Sequence, residues 1–236
     1  MSIAENIASI RTRMDAAAIA AGRDPRDIKL CAATKMNDAD AVRQAIAGGV
    51  DLCGENRVQE LVQKQQENAY EGAPVHFIGV LQTNKVKQVV GKVDVIQSVD
   101  RLNLLEAIQK EAAKQGIRQD IFLEINIGNE ESKSGFAPCE ILPLLEHIGE
   151  YPNIFVRGLM AIPPISKKEG DNRKFFQEML QLSVDIRAKK YDNVLVECLS
   201  MGMSDDFEDA IACGSNMIRI GTAIFGARDY TKLHQK

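Results

Sequence analysis

A lysine that closes an apolar run is a residue able to do covalent chemistry. In "IKLCAATKMN" the stretch from Ile28 to Thr34 has the length and make-up of a buried strand, and Lys35 ends it. Lysine is seldom buried without a partner. Partial burial disfavours the ammonium form, and the neutral amine can attack a carbonyl to form a Schiff base. A lysine at a strand end can also simply extend into solvent, so Lys35 alone does not decide. Two stretches near the other end of the chain add to it. In "LSMGMSDD", which holds Ser200 and Ser204, Ser204 followed by Asp205 and Asp206 has the pattern of a helix N-cap and an acidic first turn. "RIGTAIFG" carries Arg219, Gly221 and Thr222, and Gly221-Thr222 opens a second short helix. Small-residue loops at helix starts present backbone N–H groups to anions, phosphate among them.

The elements that must position these residues follow from the apolar pattern. Strand-type runs fall at 28–34, 50–54, 75–79, 93–99, 120–127, 154–162, 193–200 and 216–221. Helical stretches lie between them near 38–48, 56–69, 83–91, 101–115, 138–149, 169–190 and 205–213, with a short one near 222–227. Ile3, Ile7, Ile10 and Met14 add an amphipathic N-terminal helix. Eight strands alternating with helices give an α/β protein, a (β/α)8 TIM barrel with an added N-terminal helix, residues 1–236 forming one domain. A doubly wound open sheet would offer a glycine-rich loop after its first strand, and "ATKMND" has no glycine. In a barrel, chemistry sits at the C-terminal strand ends, and the eighth strand closes onto the first.

That closure brings Lys35 beside the loops after the seventh and eighth strands, where this fold commonly binds phosphate. A ligand carrying both an aldehyde and a phosphate would satisfy both, and pyridoxal 5′-phosphate (PLP) has both groups. Arg219 lies two residues before Gly221 and shares its inward face. It serves either in an internal ion pair with Glu124 or Glu197, or as a donor to the cofactor's ring nitrogen. A permanently charged donor would keep that nitrogen unprotonated and the ring a poor electron sink. Asn56 in "GENRVQE" lies at the second strand's rim, as an N-cap or as a site residue. His76 reads as structural, and "NEESKSG" at 129–135 reads as a lid or a solvated loop.

Composition narrows the classes. The net charge is −4 and the pI about 5.5, which argues against a general attraction to nucleic acid or to an anionic membrane. The N-terminus carries Glu5, Arg11, Arg13 and Asp15 in place of a signal peptide's apolar run, and no stretch has the length of a membrane span. Five cysteines without a CxxC argue for free thiols in a reducing cytoplasm rather than for zinc or disulfides. A monomer is the expected state.

The stretches "ATK", "GENRVQE", "HFIGVLQTNK", "NEESKSGF", "GLMAIPP" and "LSMGMSDDFEDAIACGSNMIRIGTAIFGAR" resemble, in this order, the pyridoxal phosphate homeostasis protein family (YggS/PROSC-like PLP-binding proteins). Members resemble the barrel domain of alanine racemases. The resemblance implies Lys35 as the PLP Schiff-base lysine and Arg219 near the pyridine nitrogen. It implies Ser204, Gly221 and Thr222 around the phosphate, Ser200 as a further phosphate neighbour, and a role in vitamin B6 and amino-acid homeostasis with PLP-dependent apoenzymes as candidate recipients. "AATK" stands where many members have a "VSK"-type run, a mild change that leaves Lys35 in place. No residue is assigned a catalytic role. A weak PLP-dependent racemase is the alternative. Against it, none of Tyr70, Tyr151, Tyr191 and Tyr230 falls at a predicted strand-end loop, although Tyr230 follows the last short helix. An aldolase using Lys35 on a phosphorylated sugar without cofactor is the third reading.

Overall fold

Eight parallel strands pair in chain order and close on themselves. They are β1 (Lys29–Ala33), β2 (Leu52–Glu55), β3 (Val75–Phe77), β4 (Val95–Val99), β5 (Gln119–Ile125), β6 (Ile154–Ala161), β7 (Val194–Ser200) and β8 (Met217–Ile220). The structure is a computed structural model and describes residues 1–165, 168 and 170–226. The tail with Tyr230 lies outside the described residues. Each run read from the sequence is a strand, its ends shifted by at most two residues. The helices are α1 (Ile3–Ala20), α2 (Ala39–Ala47), α3 (Val58–Gln66), α4 (Leu102–Gln115), α5 (Pro138–Glu146), α6 (Arg173–Ala188), α7 (Phe207–Ala212) and α8 (Thr222–Phe225). The stretch expected as a helix over 83–91 is instead a 3-10 helix, Thr83–Gln88. Three β-branched valines, at 86, 89 and 90, weaken α-helix propensity there, and Gly91 at φ 73° ends the segment.

The period of two along each strand sorts the side chains. Cys31, Leu52, Val95, Phe122, Met160 and Met217 point inward and fill the barrel. Their neighbours Leu30, Ala32, Ile218 and Ile220 point outward onto Ile7, Ile10 and Met14 of α1 and onto Phe207, Ile211 and Ile224. Each such buried leucine, isoleucine, methionine or phenylalanine contributes about 1.5–3 kcal/mol. A capping box starts α1: the Glu5 N–H donates to Ser2 Oγ at 3.2 Å and the Ser2 N–H donates to Glu5 Oε2 at 2.7 Å. Asn6 Nδ2 on this helix donates to Ile224 O at 2.8 Å. The N-terminal helix therefore covers the β8–β1 seam and holds α8 in place.

The seam between β7 and β8 is different. Only Ser200↔Met217 pair in the ladder. Side chains bridge the rest: Ser215 Oγ lies within 3.1 Å of the carbonyls of Leu199, Met201 and Met217, and Asn216 Oδ1 accepts the Leu199 N–H at 2.8 Å. Past the strand end, the Arg219 N–H donates to Gly202 O at 3.0 Å. The loop after β7 is thereby tied to β8. Among the described residues, no helix is long and apolar enough to cross a membrane, the cysteines are free, and no His/Cys/Asp/Glu group could hold a metal ion.

Candidate functional site

β1 ends at Ala33, and the chain turns through Thr34, Lys35 and Met36. Thr34 is fully buried, and its N–H donates to Gly54 O at 2.9 Å. Lys35 is half-buried, and Asn37 Nδ2 donates to its carbonyl at 3.0 Å. Across the seam, a Cβ built on Gly221 would stand 3.5 Å from both Ala33 Cβ and Ala33 O. The loop that follows β8 thus lies in contact with the strand that delivers Lys35, as barrel closure requires.

Arg219 sits opposite Cys31 in the β8–β1 register and is 5% exposed. The ion pair considered from sequence is absent among the described residues, and Glu197 instead meets Arg157 at 3.5 Å. Carbonyls hold the guanidinium: Nη1 donates to Ser200 O at 2.6 Å and to Ser200 Oγ at 2.7 Å, and Nη2 donates to Ala161 O at 2.9 Å. Burial pulls its pKa below the usual arginine value, while Cys31, Glu124 and Asp206 act the other way. Ser200 Oγ in turn donates to Gln97 Oε1 at 2.7 Å, and Gln97 Nε2 meets His76 Nδ1 at 2.7 Å. Ser200, expected near a phosphate, is fully buried and engaged on both sides. It supports Arg219 from below. His76 is structural, as expected, and burial pushes its pKa down to about 4.

The remaining expected residues line the rim. Ser204 is half-buried in the turn after β7, and among the described residues its hydroxyl takes no hydrogen bond. It does not cap α7. Asp206 occupies that position, accepting the Met203 N–H at 2.8 Å and Asn172 Nδ2 at 2.8 Å. Gly221 is the N-cap of α8, and the N–H groups of Thr222 and Ala223 precede its first internal bonds. Asn56 lies just past β2 and caps nothing, since the α3 N-cap is Arg57. Its Oδ1 is buried without a hydrogen-bond partner, an expensive state for a carbonyl oxygen. Gly79 allows this arrangement: a Cβ there would fall 2.2 Å from Asn56 O.

Two polar features escaped the sequence reading, and a third, Glu124, was weighed there only as a partner for Arg219. Glu55 and Lys64 form a buried ion pair behind Lys35. Gln97 links Ser200 to His76. Glu124 projects from β5 with 7% exposure, and burial first, then the charge of Asp100, pushes its pKa up to about 7, against the pull of Arg219 and Arg101. The arrangement therefore offers an amine, a buried guanidinium and a helix start at one junction, with an unsatisfied amide oxygen on the adjoining strand end.

This chain matches the family described as the alanine racemase N-terminal domain over residues 2–229. It is 42% identical over 230 residues to the pyridoxal phosphate homeostasis protein of Aquifex aeolicus, covering 98% of this chain and 100% of that protein. The protein of the same name from Pseudomonas aeruginosa is 41% identical over 229 residues, 97% of each chain. The solved structure of PipY from Synechococcus elongatus with PLP bound is 30% identical, with a TM-score of 0.81, and covers 95% of this chain and 100% of that one.

Proposed function

The chain belongs to the pyridoxal phosphate homeostasis proteins, within the alanine racemase N-terminal domain family, and from that premise we propose that it holds PLP at the barrel mouth, with Lys35 as the covalent anchor, in the service of vitamin B6 and amino-acid homeostasis. The observation that carries the reading is the β8–β1 junction, where the Lys35 turn, buried Arg219 and the start of α8 adjoin. When bound, PLP supplies an electrophilic aldehyde and a pyridine ring that can draw electrons. The Lys35 amine is the group suited to the aldehyde, because the turn after β1 carries it, half-buried, at the barrel mouth. The first N–H groups of α8, the Thr222 hydroxyl and Ser204 are suited to the phosphate. Arg219, which cannot give up its proton, would donate to the ring nitrogen and keep it unprotonated, which favours holding the cofactor over turning it over. Ser200 would act through Arg219.

The residues present fit the group. The buried, unpartnered Asn56 Oδ1 is the kind of atom that a polar ligand completes. PLP-dependent apoenzymes are the recipients such a holder would supply. The test is direct: purified protein is mixed with PLP, its visible absorbance followed, the adduct reduced with borohydride and the peptides mapped. The expected result is label on Lys35 and loss of the visible band in Lys35→Ala. Label on another lysine, or none, refutes the assignment.

A further inference from the structure

Behind Lys35 lies a buried ion pair that cofactor binding, as described above, does not use. Glu55 closes β2, Lys64 lies on α3, and they meet at 2.6 Å with side chains 0% and 5% exposed. Lys64 Nζ also donates to Thr34 O at 2.8 Å and to Glu60 Oε2 at 3.1 Å, so all three of its N–H bonds are used. Glu55 Oε2 accepts from Thr34 Oγ1 at 3.0 Å and from Tyr70 OH at 3.1 Å, and Glu55 Oε1 accepts the Asn56 N–H at 2.7 Å. Glu60 Oε2 accepts the Met36 N–H at 2.7 Å.

Stability is a weak reason for such a pair, because desolvating two charges costs about as much as their attraction returns. Met36 adds a second cost: it stands at φ 63°, a left-handed conformation unfavourable for a residue with a Cβ and kept only where the surroundings impose it. These side chains share a target. Glu55 and Lys64 grip residue 34, Glu60 grips residue 36, and Lys35 lies between the two fixed points.

We infer that Glu55, Lys64 and Glu60 are positioning residues for Lys35, fixing the backbone on both sides of it, and Asn56 beside it, so that the amine is presented to the aldehyde in one geometry. The inference rests on Lys35 being the anchor. It is tested by the rate of borohydride-trapped labelling and the visible absorbance of bound PLP in wild type, Glu55→Gln/Lys64→Met, Glu60→Ala and Glu60→Gln. The double variant removes both charges of the buried pair together and leaves Glu60, which loses Lys64, paired with Arg57 at 3.2 Å, but it loses the grip on Thr34 O. It is expected to melt near wild type and to label Lys35 at least tenfold more slowly, with label spreading to other lysines. Glu60→Gln, whose amide oxygen still accepts the Met36 N–H, should label as wild type does, and Glu60→Ala should not. Wild-type labelling and absorbance in the double variant and in Glu60→Ala would overturn the inference. If the double variant does not fold, the Glu60 pair decides alone, its side chain being 21% exposed. Failure of wild type itself to label Lys35 overturns the anchor assignment instead.

Discussion

Two titratable groups inside the barrel pull stability in opposite directions with pH, so removing either exposes the other. Burial raises Glu124 from 4.5 to about 7 and lowers His76 from 6.5 to about 4. Between pH 4.5 and 7 the folded chain holds a proton on Glu124 that the unfolded chain has released. Its contribution is therefore fully present below pH 4.5 and is lost as pH rises through 7. For His76 the unfolded chain binds the extra proton, so its contribution is complete above pH 6.5 and is lost as pH falls toward 4. Each window is about 2.5 pH units wide, which at about 1.4 kcal/mol per unit gives about 3 kcal/mol apiece. Where the windows overlap, the two slopes cancel in wild type.

The assay is urea unfolding of the PLP-free protein from pH 4 to 8 for wild type, Glu124→Gln and His76→Asn. Carboxylates common to all three proteins drop out of the differences. Glu124→Gln should gain about 3 kcal/mol on wild type as pH rises from 4.5 to above 7. His76→Asn keeps an oxygen for Gln97 Nε2 and should gain a similar amount as pH falls from 6.5 to 4. Differences that stay flat across these windows would refute the reasoning. The outcome bears on the site, because a Glu124 that is half protonated near neutral pH gives Arg219 only part of a counter-charge. The carbonyls of Ser200 and Ala161 must then do the rest.

Two further substitutions separate the site from the scaffold. Gly79→Ala brings a Cβ to 2.2 Å from Asn56 O, so the chain after β2 must shift. Urea unfolding should record a loss of about 2 kcal/mol or more, and PLP titration should show weaker binding as Asn56 moves. Ser2→Ala removes the α1 capping box far from Lys35. It should cost about 1 kcal/mol in unfolding and leave PLP labelling unchanged.

The strands were legible because a parallel barrel buries both faces of each, so they read as continuous apolar runs broken by polar helices. The placing of Lys35 just past a strand end, and of Gly221 and Thr222 at a helix start, was legible for a related reason: such ends are local signals. The ion pair behind Lys35 was not. Lys64 lies four residues after Glu60 on a polar stretch, the pattern of a solvated helix pair, and only the docking of α3 against β1 and β2 buries it. The burial of Ser200 was not legible because it begins "SMGMS", a loop-like stretch, while strand alternation carries it into the interior. The short helix after β7 begins two residues later than its "SDD" pattern implies, because Asp206 satisfies the Met203 N–H.

The hydrogen bonds that hold Arg219 run in one direction only. A guanidinium N–H can only donate, so Ser200 Oγ accepts from Nη1 and gives its own proton to Gln97 Oε1. Gln97 is thereby turned with Nε2 toward His76, whose Nδ1 must be the bare nitrogen and whose Nε2 must carry the hydrogen. A protonated His76 would set two donors against each other. Gln97 would then have to flip, and Ser200 Oγ, already accepting from Arg219, would lose the acceptor for its own proton. The neutral state of His76 and the fixed donor role of Arg219 are therefore one property of the barrel interior. The low pKa that burial gives His76 has the same sign as this constraint. On the reading proposed above, a cofactor ring at the mouth of such a column would meet a donor that can neither turn into an acceptor nor release its proton.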